Sequence, residues 1–241
     1  MTSLILNTLF LIVSVIAGGL LVVFLERKNQ QQIIKLTLAF SGGFLLAIAF
    51  IHFLPELYHE HNTSIGIWIL VGFLIQLFLE YFSGGIEHGH IHVHTHRKIP
   101  YALLLSLSVH SFIEGIPLAG FTGHTSHEGH HHESLLLGIV LHQLPVAIAL
   151  MTLLRQSQIS TKLSWTLLMI FGMMTPMGMF LGWIAETNGD FANMDLLLAI
   201  VVGMFLHIST TIIFETNENH KFNLAKLTAI LLGVGLTFFL I

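Results

Sequence analysis

Residues 3–25 read SLILNTLFLIVSVIAGGLLVVFL, and Glu26, Arg27 and Lys28 follow directly. The run carries no charge, and its length matches the ~20 apolar residues that a helix needs to cross a bilayer core. It has no basic n-region and no A-x-A cleavage site, so it is read as a membrane span and not as a removable leader. Blocks of the same kind recur along the chain. They predict helices over residues 3–25, 33–57, 64–82, 99–122, 134–154, 163–185, 195–216 and 222–241, joined by short polar connections. The expected fold class is all-α, a polytopic membrane helix bundle with eight transmembrane helices forming one transmembrane domain over residues 1–241.

Composition supports this. Of 241 residues, 54% are hydrophobic and 9% charged, whereas a soluble domain carries about a quarter charged residues. The lipid bilayer is therefore the expected surrounding, with no length left for a sizeable soluble domain. A net charge of −4 argues against nucleic acid as a partner. Cysteine is absent, which removes disulfides, thiolate metal sites and cysteine nucleophiles. There is no Walker-type phosphate loop, so direct use of ATP is not expected. Histidine is the anomaly, with 17 residues against 9 Lys and Arg together.

The basic residues set the orientation. Arg27, Lys28 and Lys35 flank the first connection, and Arg97 and Lys98 lie in the third. Arg155 and Lys162 flank the fifth, and Lys221 and Lys226 the seventh. The second, fourth and sixth connections have acids and histidines instead, such as Glu60, Glu133 and Asp190. The positive-inside rule then puts odd connections in the cytoplasm and both termini on the extracytoplasmic side. Compact loops lean towards a bacterial inner membrane.

Ionisable side chains inside spans are costly and mark function by default. His52, His110, His142, His207 and Glu114 are such residues. His110 and Glu114 are four apart and share a helix face. His110 is expected roughly 17 Å from the cytoplasmic end of the fourth span, and His142 roughly 18 Å from that of the fifth, at 1.5 Å per residue. Two antiparallel helices thus bring His110, Glu114 and His142 to one depth, with Gln143 adjacent as a carbonyl donor. The plainer alternative is a buried hydrogen-bonded pair that joins helices. Pro117 and Pro145 lie just beyond these residues, and each is expected to free a carbonyl one turn earlier, at Ile113 and Leu141. Thr175-Pro176 repeats the pattern in the sixth span. His52 and Glu56 near the outer end of the second span suggest an approach to the site, and His207 with Glu215 suggests a way out. Glu80 and Glu87 are expected to be solvated.

Two histidine tracts lie in connections on opposite sides. His88, His90, His92, His94 and His96 belong to the third, and His124, His127, His130, His131 and His132 to the fourth. Imidazole is the commonest ligand for zinc-like metals, and such tracts suit weak capture near a pathway. Ligation needs neutral imidazole, so binding is expected to weaken below about pH 6.5.

His110-Ser111-Phe112-Ile113-Glu114-Gly115 resembles the fourth-helix motif of the ZIP family of metal transporters, His-Asn-x-x-(Asp/Glu)-Gly. His142-Gln143-Leu144-Pro145 resembles the opening of that family's fifth-helix motif, His-Glu-x-Pro-His-Glu. Ile51-His52-Phe53-Leu54-Pro55-Glu56 resembles the end of its second helix. The resemblance implies import of zinc or iron, a metal site between the fourth and fifth helices, and often a homodimer. It also implies an elevator-like movement of helices one, four, five and six against the others. The chain departs from the pattern at Ser111 for Asn, Gln143 for an acid, Val146 for a ligand, and Thr175 for Glu. His110, Glu114 and His142 keep the primary site, while the second site has lost most of its ligands. One divalent ion per site is therefore expected, completed by water, Gln143 or the neighbouring Ser111. Zn2+ is expected as cargo, with Fe2+, Mn2+ and Co2+ as alternatives, and no cofactor is required.

A non-transporting sensor or accessory membrane protein is the main competing reading. A membrane enzyme is a further one, since His127-Glu128-Gly129-His130-His131 has the spacing of a metal-enzyme histidine box. Enzyme chemistry is not expected, because the tracts lie on opposite faces and no H-E-x-x-H is present. Deleting residues 124–132 separates these cases. A transporter should keep its maximal zinc flux and lose apparent affinity, whereas an enzyme should lose all turnover.

Overall fold

The computed structural model describes residues 2–24, 27–60, 64–83, 100–119, 129–188, 194–214 and 224–240. Regular structure among them is helical throughout: α1 (Thr2–Phe24), α2 (Arg27–Ile48), α3 (Leu54–Glu60), α4 (Ile65–Ser83), α5 (Tyr101–Gly115), α6 (Gly129–Gln156), α7 (Thr161–Asn188), α8 (Met194–Phe214) and α9 (Leu224–Leu240). A π turn over Ala49–Phe53 fuses α2 and α3 into one crossing. By length and composition 7 stretches can cross a membrane, and α9 is a shorter apolar helix of 17 residues. At 1.5 Å per residue α9 is about 26 Å long, close to the thickness of the hydrocarbon core.

Helix ends differ from the hydropathy pattern because apolarity reports contact with lipid, not the extent of a helix. α2 starts at Arg27 rather than near residue 33, since Arg27–Gln32 is polar but made largely of good helix formers. α6 starts at Gly129, so the backbone of His130, His131 and His132 lies in its first turn rather than in a loop.

The prolines act in different ways. Pro55 lacks an N–H and crowds the carbonyl of Ile51, and the ladder widens there into the π turn that contains His52. Pro117 ends α5, and the chain tightens into a 3₁₀ turn over Ile116–Ala119. The Ile113 carbonyl, expected to be freed, instead accepts from the Ile116 N–H, because the tighter turn reaches one residue less far. Pro145 and Pro176 lie inside unbroken α6 and α7.

The helices pack as two groups. In the first, α1 pairs with α6, α5 pairs with α7, and α7 also contacts α1. In the second, α2 pairs with α9, α4 pairs with α8, and α2 also contacts α8. Glycines make the pairings tight. A Cβ on Gly72 would overlap the Ile200 carbonyl, and one on Gly203 would overlap the Ile69 carbonyl, so α4 and α8 touch backbone to backbone. Gly115 and Gly178 do the same for α5 and α7, against the carbonyls of Thr175 and Phe112. Between the groups, α6 faces α2 and α5 faces α4. There a Cβ on Gly138 of α6 would meet a Leu45 methyl at an ordinary 3.6 Å. Small residues are how membrane helices approach closely, since lipid offers them no hydrophobic drive to associate.

Side chains such as Ile5, Leu9, Phe78, Leu232 and Phe239 point outward, as a lipid-facing surface requires. Buried Lys226 of α9 donates to the Ile212 carbonyl in the last turn of α8, one of the carbonyls that a helix end leaves over. Gly203→Val should force α4 and α8 apart and cost about 1–3 kcal/mol. A lower melting temperature in detergent checks this; an unchanged one would contradict the backbone contact.

Candidate metal site

His110 and Glu114 stand one turn apart on α5, and His142 reaches them from α6. Their ligand atoms all lie within 4.8 Å of one another, and all three residues are buried. His110 Nε2 is 2.8 Å from Glu114 Oε1. The two imidazole rings meet edge to face, 5.9 Å between centroids. Donors around a tetrahedral zinc lie about 3.3 Å apart, so small side-chain rotations would close this group on an ion.

The tautomer of His110 is set by its neighbour. His110 Nδ1 lies 2.8 Å from Gln76 Oε1 of α4. An amide oxygen only accepts, so Nδ1 carries the proton and the lone pair of the neutral ring is on Nε2. That lone pair faces the Glu114 carboxylate. At such a distance a cation between them, proton or metal, turns repulsion into attraction. His142 Nδ1 is 3.2 Å from Ser41 Oγ of α2, which leaves Nε2 as its ligand atom when Nδ1 donates.

The other expected site residues fall in different places. Gln143 is buried beside the group, but its amide oxygen accepts from Ser14 Oγ at 3.4 Å and its NH2 donates to Thr175 Oγ1 at 3.0 Å. Two positions where the chain departs from the family's acids thus hydrogen-bond each other. Ser111 is buried one residue beyond His110, about 100° round the helix from it. His52 lies in the π turn with its ring edge-on to Phe53, and Glu56 follows on α3; both are half-buried and outside the His110 group.

His207 is buried in α8 with Nδ1 3.4 Å from Glu80 Oε2 and its ring against Phe73. Glu80 is therefore half-buried against His207, with 18% of its side chain exposed, rather than fully solvated as its place near a helix end had suggested. Glu215, the tract residues His88, His90, His92, His94, His96, His124 and His127, and Glu87 lie outside the described residues. Sequence reading missed Gln76 and Ser41. Gln76 carried a signal, a fully buried amide in an apolar span; Ser41 carried none, since serine is common where membrane helices touch.

A helical bundle of membrane-spanning length, enclosing two imidazoles and a carboxylate, belongs to the class of membrane proteins equipped for a divalent transition metal. The sequence profile described as ZIP Zinc transporter matches residues 2–101 and 83–241, and the chain belongs to that family. It is similar to Zinc transporter ZIP1 of Plasmodium falciparum (isolate 3D7), 24% identical over 280 residues, covering 83% of this chain and 76% of that one. It is also similar to Zinc transporter SLC39A7 of Rattus norvegicus, 28% identical over 86 residues, covering 28% of this chain and 18% of that one.

Saturating zinc should stabilise the protein in detergent. At a hundred times Kd the gain is about 2.7 kcal/mol, or about 5–10 °C for a chain of this size. Glu114→Gln keeps the shape but removes the charge, and should abolish most of that rise while leaving the metal-free melting temperature near wild type. An undiminished rise in the variant would move the metal elsewhere.

Proposed function

We propose that this protein carries a divalent transition metal, zinc first, across the membrane into the cytoplasm, with His110, Glu114 and His142 as the site it passes through. The observation that carries the reading is the convergence of these three buried side chains from α5 and α6, well inside the spans. Membership of the ZIP family and the name of the Plasmodium relative support zinc as cargo. Three protein ligands leave a fourth position for water, which suits an ion that must be taken up and released.

One ion per site is the reading favoured by the Gln143–Thr175 hydrogen bond. A neutral pair at the place of two acids lowers the attraction for a second cation. Movement of the site is proposed as a rigid slide of α1, α5, α6 and α7 along the other helices. Its support is that the glycine-tight contacts lie within the groups, whereas a Cβ on Gly138 would meet the facing group at ordinary distance. The histidine tracts are proposed as weak capture sites on either face. His52 with Glu56 is proposed as the outer approach, and His207, with Glu215, as a station on the inner side. A bacterial inner membrane and a homodimer remain part of this proposal, together with extracytoplasmic termini.

The test is zinc flux into proteoliposomes loaded with a fluorescent chelator. Wild type should show saturable uptake, and the double variant His110→Ala, Glu114→Ala should lose at least about 99% of it. No flux in wild type with zinc, iron, manganese or cobalt would favour a sensor instead.

A further inference from the structure

Both imidazoles of the metal group are held from the opposite helix group. His110 and His142 stand on α5 and α6. Their Nδ1 partners, Gln76 and Ser41, stand on α4 and α2. Both partners are fully buried. A third bond follows the same direction: Ser106 Oγ of α5, one turn below His110, donates to the Leu79 carbonyl of α4. The Ser14–Gln143–Thr175 chain, by contrast, stays within α1, α6 and α7.

We infer that Gln76 and Ser41 are positioning residues that couple the metal affinity of the site to its place along the bundle. This rests on the sliding carrier proposed above. With the site group docked as seen, the Gln76 acceptor on the stationary group fixes the His110 Nδ1–H, and Ser41 holds His142 Nδ1 by a hydrogen bond. His110 Nε2 is then held as a lone-pair donor facing Glu114, and His142 Nε2 is left as the ligand atom of that ring when Nδ1 donates. Such partners orient a ligating imidazole and strengthen it, and removing one costs 10–100-fold in metal affinity in comparable sites. Sliding by even one helical turn, about 5.4 Å, carries His110 and His142 beyond reach of Gln76 and Ser41. Both bonds break in the same movement, the rings lose their fixed tautomer and aim, and the ion is held less tightly.

Linkage makes the effect reciprocal. A bound metal favours docking by the same factor that docking favours the metal. The carrier therefore binds tightly in this position and weakly after it has moved, without any ligand having to leave its helix. Gln76 matters more than Ser41, because its carbonyl oxygen can serve only as acceptor and so dictates one tautomer. A hydroxyl can turn either way.

The test compares zinc uptake by wild type, Gln76→Leu, Gln76→Glu and Ser41→Ala in proteoliposomes, together with zinc titration of their melting temperatures in detergent. Gln76→Leu should raise the KM for zinc 10–100-fold while Vmax stays within about twofold or rises, since release becomes easier. Gln76→Glu restores an acceptor and should return KM to within a few-fold of wild type. Ser41→Ala, a small change that should fold if Gln76→Leu does not, should raise KM about tenfold. A fall in Vmax with KM unchanged, in either apolar variant, would mean that these residues only join helices and would overturn the inference. If wild type carried no flux, the transport reading would fail separately. The zinc titration would still decide the inference, since equal affinities in wild type, Gln76→Leu and Ser41→Ala would overturn it.

Discussion

Glu114 brings a carboxylate into a part of the molecule where almost nothing else can solvate it. Its exposure is 2%, at the depth of a membrane span. A carboxyl group there needs polar company. His110 Nε2 stands 2.8 Å from it and His142 lies in the same group, and both rings must also satisfy their second nitrogens. Gln76 and Ser41 do so from facing helices. One buried carboxyl group thus sits in a polar shell that reaches four helices.

The polar shell would not close without the glycine contacts. Gly115 follows Glu114 directly, and its missing side chain lets α5 lie on the Thr175 carbonyl of α7. Thr175 is also where Gln143 places its amide hydrogen. A bulkier residue at 115 would push α5 from α7 and carry Glu114 away from its partners. Packing and chemistry are therefore set by adjacent residues, and the same closeness of backbones recurs in the pairs α2 with α9 and α4 with α8. The glycine contacts of this kind lie inside each group, and His110, Glu114 and His142 stand where α5 and α6 face α4 and α2.

The substituted positions have a coherent structure of their own. Gln143 and Thr175 leave no gap where the family's pattern has acids; Gln143 bonds both Thr175 and Ser14. Replacing charges by hydrogen-bonded neutral groups removes the cost of burying further carboxylates. It also lowers the negative potential beside Glu114.

Much of this was legible in the chain alone. Runs such as residues 3–25 mark membrane spans because lipid accepts no other composition, and the segregated Lys and Arg residues point to an orientation. The i, i+4 pair His110 and Glu114 and the depth of His142 could be read from helix geometry, since a single helix period places side chains along one face. The contacts across helices could not be read in this way. The close approach of Glu80 to His207, the turning of Gln143 towards Thr175, and the capture of the Ile113 carbonyl by Ile116 depend on how helices rotate and how tightly they pack. Gln76 and Ser41 belong to the same kind. Local sequence determined which residues share a helix face, because that is a matter of dihedral angles a few residues apart. Which face meets which was decided only by the tertiary structure, because it follows from glycine-limited backbone contacts between segments far apart in the chain.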